Sequence, residues 1–136
     1  MEKCAFQFDY RVGVADINYG GHVSNAAVLN IFQDARIAYL AAVGSFSELN
    51  VGGCGLIMPE AHAYYRREMF LGDRLTVGIR VENLTRSGLL MRYCIARGDE
   101  ITAEGETPLI CFDYERRRPC RMPAGFRDKL EEFEKI

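Results

Sequence analysis

The chain is poor in the residues that most often announce chemistry. Its 136 residues include two histidines, and its five cysteines (Cys4, Cys54, Cys94, Cys111 and Cys120) form no Cys-x-x-Cys pair. With so few candidate ligands and none at ligand spacing, no metal site is expected. An odd, scattered set of thiols, with no charged-then-apolar leader ahead of the first strand, points to reduced cysteines in the cytoplasm. No apolar run approaches the roughly 20 residues that cross a bilayer, and no internal repeat is visible. A Gly-x-Ser-x-Gly elbow is missing too, which disfavours a serine-hydrolase mechanism. Charge of one sign is lacking: 17 basic and 19 acidic residues leave a net −2. Nothing therefore draws the chain as a whole to nucleic acid or an anionic membrane, and no helix-turn-helix segment suggests a DNA reader. Any anion must be caught locally.

What remains is enough hydrophobic residue, 49% of the chain, for one core and one domain spanning residues 1–136. From Phe6 to Val14 the even positions are apolar and Gln7, Asp9 and Arg11 are polar, the period of a strand with one buried face. Val28, Ile31, Phe32, Ala35, Ala38, Tyr39 and Ala42 then recur at helical spacing. They predict a helix of about five turns that begins at Ser24 or Asn25 and ends with Gly44 at C′. Asp34 and Arg36 fall off that stripe. Residues 45–55 read as loop, Leu56 to Glu68 as one strand, and Leu75–Val81 and Leu89–Ile95 as alternating strands. Leu109–Phe112, apolar on both parities, reads as a central strand with an irregularity at Pro108. Phe126, Leu130 and Phe133 fall on one side of a closing surface helix. The layout is α+β: one long helix that must lie across a five-stranded antiparallel sheet.

Polar groups concentrate where the first strand hands over to the helix, in Asp16-Ile-Asn-Tyr-Gly-Gly-His-Val-Ser-Asn25. If the strand runs on in register, Asp16 and Asn18 share its inward face, where a carboxylate is partly desolvated. That segment, with Phe32-Gln-Asp-Ala-Arg36, resembles the Asp-x-x-Gly-His-Val-Asn-Asn and Phe-x-Glu-Ala-Arg signatures of hotdog-fold acyl thioesterases related to 4-hydroxybenzoyl-CoA thioesterase. Tyr65–Asp73 and Phe112–Pro123 resemble that family's Gly-Asp strand and its closing strand. The resemblance implies a hotdog fold, hydrolysis of an acyl-CoA or acyl-carrier-protein thioester without a cofactor, and a homodimer or homotetramer with sites at the interface. One departure stands out: the family's catalytic Asp, four residues before the His, is Asn18 here, and the nearest acid is Asp16. A carboxamide cannot serve as nucleophile or base.

The chemistry follows from helix physics. Unpaired amides and the dipole at a helix start favour the developing oxyanion of a thioester. Backbone around Gly21, His22, Val23, Ser24 and Asn25 is expected to receive the carbonyl, Asp16 or Asp34 to activate water, and Asn18 or Asn25 to orient it. Bland readings compete: His22 as a capping residue, Asp16 as a turn residue, Asp34 as one half of a surface ion pair. Arginines at Arg66-Arg67, Arg86-Ser87, Arg116–Arg118 and Arg121 can grip phosphates. Arg86 and Ser87 are the first choice, because the turn before Leu89 resembles the place where the family holds the nucleotide end of coenzyme A. Tyr39, Met58, Tyr64 and Phe70 are candidates for an acyl groove. A non-hydrolytic thioester-binding protein, favoured by Asn18, is the alternative function. A dehydratase of the same fold would need a His and an acid in a later arrangement that this chain does not show.

Overall fold

A computed structural model of the chain describes residue 1 and residues 3–136. The first strand, β1 (Phe6–Arg11), keeps the expected alternation, with Phe6, Phe8 and Tyr10 turned inward. It does not run on to Asn18. Val12 still donates to the Asp73 carbonyl at 3.0 Å, but past Gly13 the chain coils into a 3-10 turn over Val14–Asp16. The turn is closed by the Gly13 N–H donating to the Asp16 carboxylate at 2.9 Å. Val14 is consequently 77% exposed, and Asn18 lies at the surface. Only Asp16 is buried, and by the turn rather than by strand parity.

The long helix α1 (Asn25–Gly44) starts at Ser24, whose hydroxyl accepts from the Ala27 N–H at 3.0 Å. Its end is one residue later than the sequence suggests: Gly44 is still helical and Ser45 takes the left-handed conformation, φ 61°. Glycine is needed at 44 because a Cβ there would stand 2.7 Å from the Phe46 ring. By length and mean hydropathy (20 residues, 1.2) α1 could cross a bilayer; here its apolar face lies in the core. Ala42 is exposed, and Arg36, read as off the stripe, is only 4% exposed. Its guanidinium is bonded to Glu48 and to the Tyr93 hydroxyl, which in turn pairs with Thr107 at 2.7 Å.

The sheet comprises β2 (Gly55–Ile57), β3 (His62–Tyr65), β4 (Arg74–Glu82), β5 (Gly88–Arg97), β6 (Glu100–Asp113) and β7 (Arg118–Pro119) beside β1, all antiparallel, in the order β1-β4-β5-β6-β2. The single strand expected from Leu56 to Glu68 is broken around Pro59 into β2 and β3. Both pair with the same edge of β6, and β7 pairs with its far end, so seven segments fill five lanes. Pro108 sits inside β6, not at its start. Cys111 donates to Ser87 on the β5 side, so alternation turns residue 108 to the opposite edge. There it faces the gap between β3, which pairs as far as Glu106, and β2, which begins at Ile110, so no ladder bond is lost. The real irregularity is a register shift at Ile95/Ala96. Leu109 and Cys111 are buried, whereas Ile110 and Phe112 are half-exposed on the outer face.

The final helix α2 (Ala124–Glu134) is more than a surface element. Phe126 and Leu130 are fully buried, and Phe126 and Phe133 stack edge-on to Phe46 and Tyr39 at 4.9 and 5.4 Å. Tyr39 is therefore core and not acyl groove, its hydroxyl donating to Glu134 at 2.6 Å. Met58, Tyr64 and Phe70 stay exposed.

Burial raises the Glu134 carboxyl above its ordinary value, more than the bonds from Tyr39 and the Val81 backbone lower it. Between the ordinary and the raised value the native state holds a proton that the unfolded chain has released. Stability should therefore fall as pH rises through that window. Glu134→Gln is expected to remove this dependence, read as melting temperature in a series from about pH 4 to about pH 7.

Candidate active site

Helix α1 opens beside a cleft of about 200 Å³ lined by His22, Val23, Asn25, Val28 and residues 65–69. The loop before it is a compact turn. Asn18 accepts from Gly20 N–H at 2.9 Å through its side chain and receives the Gly21 N–H on its carbonyl at 3.1 Å. Gly21 has φ +84°, a conformation that glycine adopts without strain. Asn18 is thus engaged in shaping the turn.

The amides do not fall as the sequence suggests. Val23 N–H donates to the Met69 carbonyl at 2.8 Å and Ser24 N–H to the Asp16 carbonyl at 2.9 Å, so neither is available for an oxyanion. Ala27 N–H is bonded to the Ser24 hydroxyl. In the first turn of α1, at the positive end of a 20-residue helix, the N–H groups of Asn25 and Ala26 have no partner among the described residues.

Asp16 does not line the cleft. Its backbone is tied to the helix start through Ser24, while its carboxylate turns toward β1, where Tyr10 donates at 2.7 Å and Gly13 at 2.9 Å, both to Oδ2. Asp34 is exposed on α1, close enough for its charge to act on the Tyr10 hydroxyl. His22 lies in the cleft with Nδ1 3.1 Å from the Val23 carbonyl, a contact that fixes the tautomer with hydrogen on Nδ1. Its Nε2 faces Glu68 at 3.9 Å. Tyr65 reaches the Asn25 carbonyl at 3.2 Å. The sequence does not single out Glu68 or Tyr65 for the site, because nothing in a strand-like pattern marks a carboxylate that meets a histidine 46 positions earlier.

Arg86 and Ser87 belong to a second groove, lined also by Asp113, Arg116, Arg118, Pro119, Cys120 and Arg121. Among the described residues Arg86, Arg118 and Arg121 have no carboxylate within ion-pair reach, whereas Arg66 and Arg67 just after β3 and Arg80, Arg92 and Arg97 on the sheet are all paired. This groove shares no lining residue with the cleft at the helix start. Arg66 and Arg67 in the cleft bond to Thr102 and Gly88 pairs with Ile110, so the stretch of β6 from Thr102 to Ile110, a contour of roughly 26 Å, lies between them.

A long helix cradled by a curled antiparallel sheet, with its first turn open to a cleft, defines the hotdog class. The chain belongs to the thioesterase-like superfamily, whose family model matches residues 12–130. It is 26% identical over 129 residues to the 1,4-dihydroxy-2-naphthoyl-CoA hydrolase of Synechococcus elongatus, covering 93% of this chain and 95% of that protein. It is 25% identical over 116 residues to the long-chain acyl-CoA thioesterase of Escherichia coli, covering 84% and 88% respectively. A thioesterase of Thermus thermophilus complexed with coenzyme A and Zn superposes with TM-score 0.85 at 26% identity, over 100% of this chain and 98% of that one. Among the described residues of this chain no His, Cys, Asp and Glu group converges as a metal ion requires.

Proposed function

We propose that the chain is an acyl-CoA thioesterase working in the cytoplasm as a homodimer or homotetramer. The observation that carries this reading is the pair of free amides of Asn25 and Ala26, which open where a buried carboxylate, Asp16, is tethered to the helix start. The thioester carbonyl would lie against those amides, which favour its oxyanion. A carboxylate would take a proton from the attacking water, either Asp16 behind the helix start or Glu68 in the cleft, and His22 beside Glu68 would bind or orient the substrate. Relatives that act on naphthoyl-CoA and long-chain acyl-CoA support coenzyme A as the carrier.

The unpaired Arg86, Arg118 and Arg121 suit the phosphates of coenzyme A. Separated from their own helix start by that length of β6, they would serve a thioester bound at the helix of a second copy. Release of thiol from short-chain, long-chain and aromatic acyl-CoAs tests the hydrolytic reading; binding without release from any of them would instead support a thioester-binding protein. Arg86→Ala combined with Arg118→Ala is expected to raise KM for acyl-CoA by about tenfold or more while leaving a pantetheine thioester unaffected. An equal change for both substrates would remove the phosphate assignment.

A further inference from the structure

One wall of the cleft at the helix start is the chain that leaves β3, residues 65–69. It carries Glu68, which faces His22 at 3.9 Å, and Met69, whose carbonyl takes the Val23 N–H at 2.8 Å. Arg97, the last residue of β5, holds this wall, although the sequence does not single it out among the arginines. Its Nη1 donates to the Glu68 carbonyl at 3.1 Å and to Asp73 Oδ2 at 2.6 Å, and its Nη2 is bonded to Glu100. Glu100 pairs in turn with Arg67 of the same wall at 3.3 Å. One guanidinium thus ties both ends of the segment 68–73 to the β5–β6 corner.

The turn alone would not require all of this. It is already closed by the Phe70 N–H donating to Asp73 Oδ2 at 2.8 Å and the Asp73 N–H donating to the Phe70 carbonyl at 3.0 Å. The Gly72 N–H, bonded to the Val12 carbonyl at 3.0 Å, joins it to the end of β1. The bond to the Glu68 carbonyl closes nothing. It reaches past the turn to the residue whose carboxylate meets His22. A planar guanidinium suits the task, because it serves several acceptors at once where an ammonium offers a single point charge. Burial pushes the Asp73 carboxyl upward, but the Phe70 N–H and Arg97 outweigh it and hold it below the usual carboxylate range. The bonds to Asp73 and Glu100 raise the Arg97 guanidinium further, so the pair stays charged at neutral pH. The side chains of Arg97 and Asp73 are 30% and 21% exposed, against 65% for Glu68. The anchor is better shielded from water than the group it holds.

We propose that Arg97 is a positioning residue of the cleft, gripping the Glu68 backbone so that the Glu68 carboxylate stays opposite His22. The inference rests on the reading that His22 and Glu68 bind or orient the substrate. A residue that acts through Glu68 has a signature that a fold-stabilising arginine lacks: its loss costs little once Glu68 is gone. Arg97→Met keeps the aliphatic stem and should lower kcat/KM for acyl-CoA by about ten- to a hundredfold, the cost of a misplaced group. Arg97→Lys should recover part of that loss. In a Glu68→Ala background, Arg97→Met should cost about twofold or less.

The experiment is a double-mutant cycle of wild type, Arg97→Met, Glu68→Ala and the double variant, with Arg97→Lys beside them and thermal melting of each. Thiol release is followed with whichever of butanoyl-, hexadecanoyl- and benzoyl-CoA wild type turns over fastest. Losses in both single variants, no further loss in the double and partial recovery with lysine support the assignment. A fully active Arg97→Met, or one that loses the same factor in both backgrounds, overturns the role of Arg97 and leaves it a stabiliser of the turn. A fully active Glu68→Ala overturns the underlying reading of Glu68 and His22 instead. Should Arg97→Met melt below the assay temperature, the same cycle with Arg97→Lys decides by the same criterion.

Discussion

Asp16→Asn is expected to lower kcat toward a good acyl-CoA substrate by about 10²- to 10⁴-fold, the usual contribution of a positioned base. Asparagine is the right substitution because the two roles of Asp16 separate in it. The carboxamide oxygen can still accept from Tyr10 and Gly13, the bonds that close the turn, so the loop and the helix start should keep their shape. What is lost is the capacity to take a proton, since a neutral amide has no basic oxygen at working pH. KM should change little, because Asp16 is not among the residues that line the cleft. Asp16→Ala would confound the result by also leaving Gly13 without its partner. Turnover of Asp16→Asn within about tenfold of wild type would move the base into the cleft itself, where Glu68 stands 3.9 Å from His22.

The elements with strong hydrophobic periodicity were legible from sequence: β1, the inner stripe of α1, and the β4 and β5 pair. The long strand β6 was legible only at its apolar end. Its inward residues at 103, 105 and 107 are Ala, Gly and Thr, small or polar choices that carry no hydrophobic signal. Their reason is tertiary: a Cβ on Gly105 would stand 2.4 Å from the Phe32 ring, and Thr107 is where the Tyr93 hydroxyl finds its partner. The site was legible as a place and not as a set of roles. The segment around His22 does stand at the start of the helix. Which amides are free depends on partners at Met69 and Asp16, however, and the second donor to the buried acid comes from a strand whose alternation marks Tyr10 only as inward.

Glu48→Ala should destabilise the fold by about 3 kcal/mol, the lower end of the cost of removing one member of a buried ion pair. Arg36 side-chain exposure is 5% and that of Glu48 is 34%, so water screens the acid more than the base, which is why the lower figure applies. With Glu48 gone, the guanidinium keeps the Tyr93 hydroxyl at 3.0 Å but no counter-charge. It cannot shed its proton, because arginine remains charged at any pH at which the protein folds. The effect should appear as a lower denaturation midpoint at unchanged slope, since the surface exposed on unfolding is nearly the same. The cost belongs to the stranded charge more than to the lost contact, so Arg36→Met added to Glu48→Ala should restore much of the stability. The pair then acts as a tether, fastening the loop after α1 to the Tyr93–Thr107 pair on β5 and β6. If the single substitution shifts stability by less than about 1 kcal/mol, the pair is a solvent-screened surface bridge, and α1 is held to the sheet by apolar packing and the Arg36–Tyr93 bond.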